Sequence, residues 1–171
     1  MESSEILLRA RRFTVVRRRR SLPDGRVVEQ ESIEHPGAVT ILPILEDGAV
    51  CLIRNYRMAV GQWLVELPAG TLEPDEDPAV TARRELQEET GYTCTRLRKL
   101  HEFFVSPGIL HERMHLYLAT GLTAGDSDLQ PGEQIQPHVV PWQEALAMTR
   151  DGRIQDAKTL IALLYYAHQR Q

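Results

Sequence analysis

Three glutamates fall within five residues beside an arginine: Arg84-Glu85-Leu86-Gln87-Glu88-Glu89. If the segment is helical, each residue turns about 100°, so Glu85 and Glu89 lie side by side and Glu88 one step further round. Like charges at this spacing destabilise a helix by roughly a few tenths of a kcal/mol per pair. A hard cation with oxygen ligands would reverse that penalty. Magnesium or manganese suits carboxylate oxygens, whereas zinc suits the run poorly because no His or Cys is placed to help. Arg84, one turn before Glu88, can orient a glutamate.

The flanking residues predict the helix that would carry this chemistry. Asp77 is a good N-cap and Pro78 fits the first helical position. Gly91 sits where a helix ends in a left-handed residue. Ala79, Ala82 and Leu86 recur at helical spacing as a narrow apolar stripe beside the carboxylates. A solvated acidic face is the plain alternative. It would not require the loop from Gly70 to Glu76 or the closing Gly91. Residues 66–92 hold eight acids and only two bases, although the whole chain has a net charge of just −4. The negative charge is therefore concentrated here.

Upstream, Arg54 and Arg57 stand three apart at a strand end. Their planar, bidentate donors suit a diphosphate. Other strands are expected at 5–20 and 26–33, joined by Pro23-Asp24-Gly25, and at 37–45 and 49–55 as a hairpin closed by Glu46-Asp47-Gly48. Further strands are expected at 63–67, 95–105 and 113–120, and 136–141 reads as an edge strand between prolines. A polar loop occupies 121–133. Helices are predicted over 142–149 and 155–169, with Asp156 capping and Lys158 exposed. This is an α/β chain, with residues 1–36 as an N-terminal β arm and 37–171 as the main domain. The basic run Arg17–Arg20 is expected to pair with Glu29, Glu31 and Glu34 on the next strand rather than to bind nucleic acid.

The chain of 171 residues suffices for one full core. Mild acidity argues against bulk nucleic-acid binding. No apolar run nears the roughly 20 residues that cross a bilayer, and the polar start lacks a signal-peptide core. Cys51 and Cys94 make no disulfide framework and read as small packing residues. The expected location is the cytoplasm. His111 and His115 read as surface histidines.

Residues 70–92 resemble the Nudix box, G-x5-E-x7-R-E-U-x-E-E-x-G-U with U bulky and apolar; Tyr92 in the last position is the one soft departure. The stretch Arg54-Asn55-Tyr56-Arg57 … Glu66-Leu67-Pro68-Ala69-Gly70 resembles the ADP-ribose pyrophosphatase branch of that family. So do Pro107, 16 residues after Gly91, and the loop Ser106-Pro107-Gly108 … Glu112. The resemblance implies an α/β/α sandwich with a mixed sheet and a homodimer to which the arm contributes, with Phe13 as its one aromatic. It also implies hydrolysis of a nucleoside diphosphate linked to a sugar, with ADP-ribose yielding AMP and ribose 5-phosphate, and magnesium or manganese as cofactor. Glu85, Glu89 and the Ala69 carbonyl become metal ligands, and Glu88 a ligand or a supporting group. Glu112 becomes the base or a further ligand. Arg54 and Arg57 hold the diphosphate, and Arg84 and Glu76 keep the loop in shape. Another nucleotide sugar such as GDP-mannose, or a non-catalytic nucleotide-sugar sensor, are the competing readings. A sensor would often have lost the box glutamates, all of which are present.

Overall fold

A computed structural model describes residues 2–170. Its centre is a strand that is apolar on both alternating faces, as a doubly covered strand must be. This is β4 (Ala38–Pro43), buried throughout. It runs parallel to β10 (Arg113–Ala124), with Leu116 opposite Thr40 and Tyr117 opposite Ile41. The short β7 (Ala69–Thr71) pairs antiparallel with the free edge of β4, and β8 (Tyr92–Phe104) pairs antiparallel with β10. The sheet order is thus β7-β4-β10-β8, a mixed sheet.

Strand alternation sends side chains to two separate clusters. Val39, Ile41, Tyr117 and Ala119 pack against Ala82 and Leu86 of α1 (Pro78–Thr90). Leu42, Leu116 and Leu118 pack on the other side with Leu52, Met148 and Leu163. The last two come from α2 (Trp142–Arg150) and α3 (Ala157–Gln169), which cover that side. Burying a leucine such as Leu86 contributes about 1.5–3 kcal/mol, enough for one stripe to fix the face α1 presents. Helices outside and sheet within make the expected α/β/α sandwich.

The predicted hairpin at 37–55 is half right. Its turn forms, with Gly48 at φ 83°, but the strands then part. β5 (Val50–Arg57) leaves β4 and pairs with β6 (Gln62–Glu66) and the edge strand β11 (Ile135–Val140). Both strands are apolar on two faces, so each seeks cover in a different layer.

The arm also differs from expectation. Residues 5–20 are not one strand. Ala10 N–H donates to the Phe13 carbonyl at 2.9 Å, and this turn separates β1 (Glu2–Arg9) from β2 (Thr14–Ser21). The fold-back brings Glu5 opposite Arg17, a complementary but exposed pair 3.7 Å apart. On its other side β2 pairs with β3 (Val27–Glu34), where Arg17 lies opposite Glu31 and Arg19 opposite Glu29. Arg17–Glu31, Arg18–Glu34 and Arg19–Glu29 ion pairs form at 2.9, 2.6 and 2.7 Å, as the sequence suggested. A two-residue strand, β9 (Leu110–His111), joins β3 and ties the arm to the loop after β8.

Candidate active site

Helix α1 starts and stops where its residues dictate. The Asp77 carboxylate accepts from Ala79 N–H at 2.7 Å, and Gly91 closes the helix at φ 75°. Glu85 and Glu89 consequently turn inward towards β7, only 7% and 4% exposed, while Glu88 stays half-buried at the rim. β7 lies so close that a Cβ on Gly70 would come within 1.9 Å of the Glu85 carboxyl carbon. Only glycine leaves that carboxylate its place. Next to it, Ala69 N–H donates to Glu89 at 2.9 Å.

Burial pushes the Glu89 carboxyl up to about 8; the Ala69 N–H opposes the rise, and the charges of Glu85 and Glu133 reinforce it. Glu85 is raised too, again mainly by burial, against the pull of Arg84. Arg84 donates to Glu85 at 2.7 Å, to Glu88 at 3.3 Å and to both oxygens of Glu76 at 3.3 and 3.1 Å. It thereby locks the loop before α1 to the carboxylate face, the geometric role expected of Arg84 and Glu76. Among the described residues no three acidic, imidazole or thiol side chains already form a closed cation cage. The donors nevertheless fit a hard divalent ion. They are carboxylate oxygens, held in a buried place where ionisation is unfavourable without added positive charge.

These groups line a cleft of about 1210 Å³. The same cleft also holds cations, and Arg57 feels the charge of Glu89. Arg57 and Lys158 face the cleft, and both contact Glu66, which is 1% exposed. Lys158 is therefore not the exposed residue expected from helical spacing. It is 9% exposed and pairs with Glu66 at 2.5 Å and Asp156 at 2.9 Å. The arm turn with Phe13, His35 and Glu112 also line the cleft. His35 Nδ1 accepts from Gly37 N–H at 3.2 Å and lies 3.7 Å from Glu112.

The structure thus gathers Ala69, Arg84, Glu85, Glu89, Arg57 and Glu112 around one cavity. Glu88 supports it from the side. Its carboxylate meets Arg84, and its carbonyl accepts from Asp128 N–H at 3.0 Å, fastening the loop after β10 to α1. Arg54 is elsewhere, exposed, with its guanidinium carbon 5.7 Å from the Trp63 ring centre and outside the cleft lining. His115 is not a surface residue either. Its side chain is 13% exposed, its Nδ1 has no hydrogen-bond partner, and burial holds its pKa below the ordinary value. Sequence reasoning missed Glu133, which lines the cleft beside Glu85 and Glu89. The only signal was the Pro131-Gly132 turn before an edge strand.

A family model described as the NUDIX domain matches residues 34–163. The chain belongs to the Nudix family. An ADP-ribose pyrophosphatase of Bacillus subtilis (strain 168) is 37% identical over 146 residues, spanning 84% of this chain and 79% of that protein. A methanol dehydrogenase activator of Bacillus methanolicus is 40% identical with the same coverage. A GDP-mannose pyrophosphatase of Cronobacter sakazakii is 36% identical over 82% of this chain and 79% of its own length. A crystal structure of an ADP compounds hydrolase superposes with a TM-score of 0.85, covering 98% of this chain and 91% of that one, at 24% identity; it shares the fold. As a Nudix protein with pyrophosphatase relatives, the chain is a pyrophosphohydrolase.

Proposed function

We propose that this Nudix enzyme hydrolyses the diphosphate of a nucleoside diphosphate joined to a sugar, with ADP-ribose as the leading substrate and AMP and ribose 5-phosphate as products. One observation carries the reading: a single cleft is lined both by two buried carboxylates, Glu85 and Glu89, and by the cations Arg57 and Lys158. A diphosphate is a ligand that an ion on the carboxylates and the two cations can hold together. Relatives named ADP-ribose pyrophosphatase and GDP-mannose pyrophosphatase support the substrate class. The second of these names keeps GDP-mannose as the alternative substrate.

Glu85, Glu89 and the Ala69 carbonyl would hold magnesium or manganese, with Glu88 in support. Such an ion, when bound, supplies charge neutralisation at phosphate and a more acidic water. Arg57 presents to nonbridging phosphate oxygens the donor that Glu66 leaves free, where charge builds during in-line attack. Glu112 lines the cleft and is the candidate to take the proton of the attacking water, and Glu133 is a second carboxylate of the same lining. Arg84 holds Glu85 in its rotamer throughout. Arg54, on the outer face, would reach substrate only by a different route. The exposed apolar residues Ile6, Leu8, Val27 and Val28 of the arm support a homodimer built through residues 1–36 against the 37–171 domain. Among the described residues no helix is long and apolar enough to cross a membrane.

The test is a substrate panel of ADP-ribose, GDP-mannose, UDP-glucose and diadenosine polyphosphates, each with magnesium and with manganese. ADP-ribose is expected to show the highest kcat/KM. Preference for GDP-mannose would keep the chemistry and change the substrate. Binding without turnover of any compound would favour the sensor.

A further inference from the structure

The acidic wall of the cleft, Glu85 and Glu89, is accounted for by the reaction; behind the two cations of the cleft lies a buried glutamate that does not itself line it. Glu66 ends β6 at 1% exposure. Its Oε1 accepts from Arg57 Nε at 2.8 Å, and its Oε2 accepts from both Arg57 Nη2 at 2.6 Å and Lys158 Nζ at 2.5 Å. One oxygen thus holds a guanidinium and an ammonium side by side. Two cations so close repel strongly in a partly buried setting, and only an anion between them keeps them there. Nothing lets Glu66 drift, because the next residue is tied down as well: Leu67 N–H donates to Thr159 Oγ1 at 2.8 Å, on the same first turn of α3 as Lys158.

Both cations retain donors for a ligand. Lys158 uses two of its three N–H groups, on Glu66 and Asp156. Arg57 uses Nε and Nη2 on Glu66, which leaves Nη1, and its side chain is 39% exposed towards the cleft. Asp156 caps α3 through Thr159 N–H at 3.0 Å, so the positive end of that helix points at the same place.

We propose that Glu66 is a positioning residue that holds Arg57 and Lys158 together as one two-cation cradle for a single phosphate group of the substrate. The proposal rests on the diphosphate reading above. Substrate meets a pair of cations already placed, so no ordering is left for the binding step. In this view Glu66 acts on substrate affinity and orientation, through two other side chains, and takes no part in proton transfer.

The probe is inorganic pyrophosphate, titrated by calorimetry in chelator so that the acidic wall contributes no ion-mediated binding. ADP-ribose kinetics and Tm are measured on the same samples. Glu66→Gln keeps the shape, removes the charge and places an amide donor against a cation. It is expected to weaken pyrophosphate about tenfold or more, and to raise KM similarly with kcat changed much less. Glu66→Asp should recover part of both. A folded Glu66→Gln protein with lowered Tm but unchanged pyrophosphate affinity and KM would overturn the proposal and leave the hydrolase reading intact. If wild type turns over no nucleotide sugar yet binds pyrophosphate in a Glu66-dependent way, the cradle stands and the substrate reading falls. Should Glu66→Gln not fold, Arg57→Lys, Lys158→Met and the double variant decide. A single cradle predicts that either change alone costs nearly as much as both, and simple additivity would refute it.

Discussion

The arm and the box use the same charged residues to opposite effect. On β2 and β3, Arg17 and Arg19 face Glu31 and Glu29 in register and Arg18 reaches along the strand to Glu34, with all three glutamates exposed and the arginines partly or largely so. Water solvates both members of each pair, so little is gained or lost by pairing them. In the box, Glu85 and Glu89 are buried with one guanidinium and one N–H between them. There the carboxylates are held in a place that disfavours their charge. A fold tolerates such a cost where a ligand relieves it, which is why the box and not the arm marks the reacting centre.

The sharpest way to break this contrast is to remove one box charge. Glu89→Gln is expected to lower kcat by orders of magnitude while the protein remains folded by circular dichroism. Near-normal turnover with magnesium would undo the assignment of this face. Gly70→Ala tests the same geometry from the other side. The φ of Gly70 is one any residue adopts, so the added methyl acts through its collision with the Glu85 carboxyl group rather than through backbone strain. Displacing a reacting group by about 1 Å can cost on the order of a hundredfold. Activity should fall by that order with Tm moved by only a few degrees, and unchanged kcat/KM would show that Glu85 has room to spare.

Local patterns made most of the box legible. Asp77, Pro78 and Gly91 specify a helix, and the spacing of Glu85, Glu88 and Glu89 specifies its acidic arc, so the bounds and the face of α1 follow from a short stretch of chain. The arm pairs were legible because strand register follows from the turn at Pro23-Asp24-Gly25. What could not be read depends on long-range contact. Lys158 looked exposed on its helix because nothing in its own sequence places Glu66, 92 residues earlier, beneath it. Arg54 looked like a phosphate ligand beside Arg57, yet three residues along a strand put them on opposite faces. Glu133 sits in a loop whose course depends on the anchoring of Asp128 to α1. The parting of β4 and β5 is of the same kind, since a good turn says nothing about which neighbours its strands will find.

A smaller but more diagnostic effect concerns pH. With metal chelated, Glu89 is protonated in both the folded and unfolded chain below about 4.5. From there to about 8 the unfolded chain ionises while the folded one resists, so stability falls across that window and the loss is complete above it. Its size is on the order of a few kcal/mol. Glu66 works in the other direction: burial would raise it, but Arg57 and Lys158 outweigh that and hold it below the ordinary value. The Glu89 contribution therefore has to be read as a difference between proteins. Chelated Glu89→Gln should be more stable than chelated wild type at pH 8 and similar at pH 4.5, measured by thermal melts. Adding magnesium or manganese at pH 8 should raise the Tm of wild type and leave the variant nearly unmoved. Equal responses in the two proteins would detach the cation from this face.

The smallest expected effect belongs to the arm. Replacing Arg19 and Glu29 singly and together by alanine should shift Tm by no more than about a degree or two, with negligible coupling in a double-mutant cycle. The isolated chain leaves their side chains 50% and 46% exposed, so there is little desolvation to recover. This prediction also probes the assembly. If a second copy covers the arm, the same pair is desolvated in the dimer and its coupling must grow with protein concentration. Melts over a hundredfold concentration range would show it: a coupling that stays near zero leaves the charged ladder outside any interface, and one that rises with concentration places the ladder inside a dimer contact.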